Sequence, residues 1–143
     1  MKKIILVLLT ILIVVSCSKS DDGTDAGQTE ATIVGKWYLV QKGSYENPIV
    51  YDYEAMEQDC LESGYFYQEP LFVIFTKEGD YAEGGGCAGS NDNRSYSLDG
   101  NTISYFNKPS GTFDISAEIT ELTSDGLIIE FYGGSYHEEY ERP

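Results

Sequence analysis

The sequence is poor in positive charge. Its 143 residues carry nine Lys and Arg against 24 Asp and Glu, a formal net charge of −15. Nucleic-acid binding needs basic side chains to displace condensed counterions, so this balance excludes nucleic acid as a partner. It also argues against electrostatic adsorption to anionic lipid. Histidine is nearly absent, with His137 the only one. A hydrolase triad would need His137 as its base, and no nucleophile elbow supplies its serine. Placed among Glu138, Glu139, Tyr140 and Glu141, His137 fits no metal-ligand spacing and reads as a solvent-facing strand residue. There is no Cys-x-x-Cys pair for redox chemistry. The Gly84-Gly85-Gly86 run lacks the following Lys-Ser or Lys-Thr of a phosphate loop. Asp92, between Asn91 and Asn93, lacks the ligand ladder of a calcium loop. No catalytic residue, metal, cofactor or enzymatic activity is therefore expected.

Long apolar runs are also missing. The longest, Ile4 to Val15, has 12 residues broken only by Thr10. A bilayer-spanning helix needs about 20. Preceded by Lys2 and Lys3, this run has the charge and length of a secretory signal. It ends in Val14-Val15-Ser16-Cys17, which resembles a bacterial lipobox. That resemblance implies cleavage before Cys17 and acylation of the cysteine, where several acyl chains anchor far more strongly than one. The expected organisation is a signal peptide over 1–16, a lipidated tether over 17–32 and a folded domain over 33–143. The mature chain would keep seven basic residues against 24 acidic ones. Ser18 after the anchor, and Asp21-Asp22 shortly beyond it, resemble the sorting signals of outer-membrane and surface lipoproteins of Bacteroidetes-type bacteria. Gly23 to Thr32 has no apolar period and reads as a flexible spacer.

The remainder is rich in aromatics, with twelve Tyr, six Phe and one Trp, too many for a disordered chain. Lys36 to Lys42 reads as a first strand, with Trp37, Leu39 and Gln41 on one face and Tyr38, Val40 and Lys42 on the other. Gly43 to Pro48 reads as a turn or loop. Asp52 to Glu62 reads as a helix capped by Asp52, stopped by Gly64, and buried along Tyr53, Met56, Cys60 and Leu61. Leu71 to Thr76 is an apolar strand, followed by a short return over Asp80 to Glu83. Cys87 to Asn93 reads as a loop. Asp99-Gly100-Asn101 marks a tight hairpin between strands at Arg94 to Leu98 and Thr102 to Asn107. Period-two alternation then predicts strands over Thr112 to Leu122, Leu127 to Tyr132 and Tyr136 to Arg142. About eight strands with short connections and no βαβ rhythm point to an all-β fold. The expectation is a small antiparallel up-and-down β-barrel with one short helical insert, its first and last strands paired so that no edge remains. The alternative is a two-sheet sandwich. Cys60 and Cys87 are the thiols left once Cys17 takes lipid. In an oxidising compartment they are expected to form a disulfide.

Several of these segments resemble lipocalins and the lipocalin-like lipoproteins of Bacteroidetes-type bacteria. They are Val34-Gly35-Lys36-Trp37-Tyr38-Leu39, Phe72 to Thr76, Gly79-Asp80-Tyr81, Tyr96 to Ile103 and Ile119 to Phe131, with Cys60 and Cys87 between them. The resemblance implies a small barrel holding a small hydrophobic or amphipathic ligand. An apolar cavity would draw on Trp37, Leu39, Phe75, Tyr105, Ile115, Ile129 and Phe131, the same residues that would fill a solid core. A second expectation is an interaction module, in which Tyr45, Tyr51, Tyr53, Tyr65, Phe66 and Tyr67 form an aromatic rim against an envelope protein or glycan.

Overall fold

A computed structural model describes residues 32–143. The expected signal peptide, the expected lipidation at Cys17 and all of the expected tether except Thr32 lie outside the described residues. Among the described residues, nine strands and one α-helix occur in this order: β1 Gly35–Ser44, β2 Asn47–Val50, α1 Tyr53–Glu62, β3 Phe72–Phe75, β4 Asp80–Gly85, β5 Ala88–Asp99, β6 Thr102–Asn107, β7 Thr112–Leu122, β8 Gly126–Phe131 and β9 Tyr136–Glu141, with a short 3-10 turn at Tyr132–Gly134 before β9. From β3 onward each strand pairs antiparallel with the next, β1 pairs with β3, and β9 returns to β1. Eight strands thus close an up-and-down barrel. The expected strand count holds for the barrel itself, and β2 is an additional strand.

That extra strand depends on the length of β1. Gly35 to Tyr38 pair with β3, whereas Gln41 to Ser44 pair with β2, which occupies the same side of β1 farther along. On the other side, Tyr38 to Gly43 pair with β9. The segment expected to be a turn over Gly43 to Pro48 is therefore mostly a hairpin, with only Tyr45 and Glu46 between its strands.

The register of β1 against β9 shifts between Leu39 and Gln41. Such a bulge inserts one residue and reverses the facing of the residues beyond it. Trp37 and Leu39 face the core, as expected. Past the bulge Lys42 lines the interior and Gln41 lies on the outer wall, the reverse of simple alternation.

Helix α1 forms as its sequence predicts. The Asp52 carboxylate accepts from the Ala55 N–H at 3.1 Å. At the far end the Tyr65 N–H donates to the Cys60 carbonyl and the Gly64 N–H to the Leu61 carbonyl, a paired closure made possible by the positive φ of Gly64. Leu61 departs from the expected buried stripe and is exposed, while Cys60 is fully buried. A disulfide joins Cys60 to Cys87, with the Cα atoms 5.4 Å apart. It fixes α1 to the turn between β4 and β5. The expected loop from Cys87 to Asn93 is instead the start of β5, whose pairing with β4 is irregular at two points.

The barrel is packed solid at one end. Trp37, Phe75, Ile103, Leu127 and Ile129 are each at most 1% exposed. The Trp37 indole N–H donates to the Ile33 carbonyl at 2.7 Å. The Arg142 guanidinium lies 3.7 Å from the centre of the Trp37 ring and donates to the carbonyls of Val34 and Thr32. A Cβ at residue 35 would collide with the Arg142 guanidinium, so Gly35 is the residue that lets this arginine cross the chain. Among the described residues, the strand pairings, the disulfide and the core join into one closed unit. Trp37→Ala should lower the unfolding free energy by roughly 3–5 kcal/mol, the range for truncating a buried aromatic. Urea denaturation of the two proteins measures this, and a loss below about 1 kcal/mol would contradict a tightly packed end.

Candidate functional site

The other end of the barrel is open and polar. Here the strand pleat turns a mixed set of side chains inward. Glu83 follows Tyr81 along β4, Arg94 precedes Tyr96 along β5, and Glu138 lies between Tyr136 and Tyr140 along β9. Two cavities meet at this mouth and share Tyr81, Glu83 and Glu138. One, of about 280 Å³, is bounded by Leu39, Lys42, Leu71, Val73 and Tyr140. The other, of about 600 Å³, is bounded by Arg94, Tyr105, Ile115, Phe131 and Tyr136. Together they fall within the size range of small-molecule sites.

Hydrogen bonds fix the acidic wall. The Tyr140 hydroxyl donates to Glu138 at 2.6 Å and the Tyr81 hydroxyl to Glu83 at 3.2 Å. Burial pushes the Glu138 carboxyl above its ordinary value, against the opposing effects of the Tyr140 hydroxyl and the Lys42 charge. Burial also raises the phenols of Tyr81, Tyr105 and Tyr140. These hydroxyls therefore stay protonated at neutral pH and remain donors. Arg94 is paired with Asp114 at 3.5 Å, and the Lys42 ammonium lies 5.6 Å from the Tyr51 ring centre.

No protein-family model matches the sequence, and no curated protein matches it. A solved structure described as a lipocalin-like protein from Bacteroides uniformis is similar, with a TM-score of 0.52 and 18% identity over 77% of this chain and 97% of that one. The fold is lipocalin-like. At that identity the likeness concerns architecture alone, and the site must be argued from this chain's own residues.

The lipocalin-like barrel divides the expected cavity residues. Leu39, Tyr105, Ile115 and Phe131 do line the mouth. Trp37, Phe75 and Ile129 do not, because they are consumed in the packed end. The charged residues Lys42, Glu83, Arg94 and Glu138 had no place in the expected set. The alternation of Tyr136, Glu138 and Tyr140 was a usable signal, since a glutamate between two inward tyrosines must face inward too. Lys42 had no comparable signal, because its facing depends on the bulge.

The six expected rim aromatics do not form one surface. Tyr51 and Tyr53 stack with centres 6.0 Å apart, and the Tyr53 hydroxyl donates to the Leu39 carbonyl. Tyr65 and Phe66 are exposed just beyond α1, and Tyr67 is half-buried. Tyr45 stands apart on the outer wall, stacked on His137 with centres 4.1 Å apart and donating to Glu130. His137, expected to face solvent, is 1% exposed beneath it. The reason is its partner across the sheet: Gly43 pairs with His137 and has no side chain to hold Tyr45 away.

Glu138→Gln should make the barrel more stable at neutral pH, by about 0.5–2 kcal/mol, a common size for a stabilising substitution. A carboxyl whose folded-state value is raised contributes most below its unfolded value and loses that contribution as pH rises through the folded value. The gain should therefore shrink as pH falls through the raised value, and vanish below the ordinary 4.5. Thermal unfolding of both proteins across that range tests it. A variant less stable than the parent at neutral pH would contradict a costly buried carboxylate.

Proposed function

We propose that this protein is a lipid-anchored binding protein of the bacterial outer membrane that holds a small amphipathic molecule in the mouth of its barrel. The observation that carries the ligand reading is the pair of adjoining cavities around Tyr81, Glu83 and Glu138. An apolar wall of Leu39, Leu71 and Val73 faces a wall of hydroxyls and charges, which suits a ligand with one apolar and one polar part. The anchor rests on the signal-like run and the Val14-Val15-Ser16-Cys17 sequence. An acylated Cys17 followed by a short polar spacer would keep the barrel close to the lipid surface, within reach of envelope solutes. The function proposed is capture rather than turnover.

Native mass spectrometry of the protein extracted from the envelope of its host tests both parts. The expected protein lacks residues 1–16, carries added acyl mass, and releases a reproducible small-molecule adduct on denaturation. An unmodified chain would overturn the anchor. Gly89→Phe gives the matching control for the ligand. Gly89 lines the smaller cavity, and a Cβ there meets nothing within 4 Å. The phenyl group should fill that space and abolish the adduct while leaving the barrel folded. An adduct unaffected by this substitution would place the ligand outside the smaller cavity.

A further inference from the structure

Among the described residues, the two carboxylates in the mouth make no direct ion pair. Among the described residues, the ion pair of Arg94 is made with Asp114, and Lys42 lies over Tyr51. Neither cation reaches ion-pairing distance of Glu83 or Glu138. A carboxylate has about four acceptor sites, and each of these receives one tyrosine hydroxyl. The cavity around them is aromatic, with Tyr81 and Tyr105 packed edge to face at 5.1 Å and Phe131 against Tyr136 at 5.9 Å. A second, independent observation concerns Tyr105. It is 4% exposed, it lines the larger cavity, and among the described residues its hydroxyl has no hydrogen-bond partner. That hydroxyl opens onto the cavity and is free to pair with a polar group of a ligand.

Resting on the reading of the mouth as a ligand cavity, we infer that its ligand is a small organic cation, an apolar or aromatic body carrying a protonated amine. The ammonium sits against Glu83 and Glu138, and the body lies along Tyr81, Tyr105 and Phe131. Each part of the site then has its counterpart. An ammonium offers up to three donors to carboxylates that make no direct ion pair. Aromatic walls attract the same charge through their ring faces. The Tyr105 hydroxyl is available to accept from the amine or to bond a polar substituent of the body. A neutral ligand would leave the two half-buried carboxylates without a direct ion pair, and an anionic one would face them directly. The raised value of Glu138 agrees with a group that gains from a cation. Such binding would release any proton it carries, so affinity would fall with acidification. The charged and titratable groups facing Glu138 in that response are Lys42, Tyr81, Glu83, Arg94, Tyr105, Tyr136 and Tyr140.

Three probes that share an indole and a two-carbon arm separate the possibilities: tryptamine, the alcohol tryptophol and the acid indole-3-propionate. Each would be titrated calorimetrically into residues 32–143 at neutral pH, and into the E83Q, E138Q and E83Q/E138Q variants. Tryptamine is expected to bind at least about tenfold more tightly than tryptophol, as a charge-assisted contact implies. The double variant is expected to lose that preference while still binding the alcohol. If the buried position does not tolerate glutamine, E83Q alone carries the test through a partial loss of preference. Equal binding of the three probes would overturn the cation while leaving the mouth as a ligand cavity. Preference for indole-3-propionate would assign the site to anions held by Lys42 and Arg94, and would overturn it as well. A preference for tryptamine that survives E83Q/E138Q would move the cation away from these carboxylates. Binding of none of the probes would overturn this inference together with the cavity reading.

Discussion

The pairing of β1 with β9 is the contact on which the rest of the structure depends. It joins the ends of the folded chain, converts an open sheet into a barrel and leaves none of the eight barrel strands with a full unpaired edge. Closure also sets the interior width, since eight strands leave room for little more than their own inward side chains or one small ligand. This barrel does both at different heights. Where Trp37, Phe75 and Leu127 point inward there is no space left. Where Glu83, Arg94 and Glu138 point inward, they turn along the walls and leave the centre open.

The same pairing carries the bulge between Leu39 and Gln41. Without it, the phase of β1 would place Gln41 inside and Lys42 outside. With it, a lysine enters the mouth opposite Glu138 and a glutamine joins the outer wall, where it donates to Glu139 at 2.6 Å. One inserted residue thereby adds a positive charge to a cavity whose other wall is acidic. The architecture at the closed end has its own lock. The Trp37 indole, the Arg142 guanidinium and the carbonyls of Thr32, Val34 and Ile33 bind the segment before β1 to the last residues of the chain. Stability is concentrated at that end, which leaves the mouth free to hold groups that are costly to bury.

Much of the fold was legible in the sequence because its local signals agree with one another. Asp99-Gly100-Asn101 predicts the turn that joins β5 to β6, and the alternation of Phe113, Ile115, Ala117 and Ile119 marks β7 to its observed ends. Asp52 and Gly64 bound the helix because caps are local chemistry. The start of β5 was not legible. Ser90, Asn91, Asp92 and Asn93 have turn-forming composition, and only their neighbours in β4 and the nearby disulfide make them a strand. The burial of His137 was hidden for a similar reason, since it depends on a glycine and a tyrosine more than ninety positions earlier. The site was half legible. Leu39, Tyr105, Ile115 and Phe131 follow from alternation, whereas the charged wall contradicts the expectation that a barrel interior is apolar. Period two alone does not say how deep a residue lies, so it could not separate Phe75 in the packed end from Tyr105 at the mouth.

A barrel with one dry end and one open end should admit a small solute at the open end alone. The most direct measurement is paramagnetic broadening by a small neutral nitroxide, read on assigned ring and methyl protons of residues 32–143. Strong broadening is expected for the Tyr105 and Tyr136 ring protons and none for Trp37, Ile103 and Leu127, although Tyr105 is only 4% exposed. Uniform protection of all five would mean that the interior is filled throughout, and the mouth would then hold no ligand.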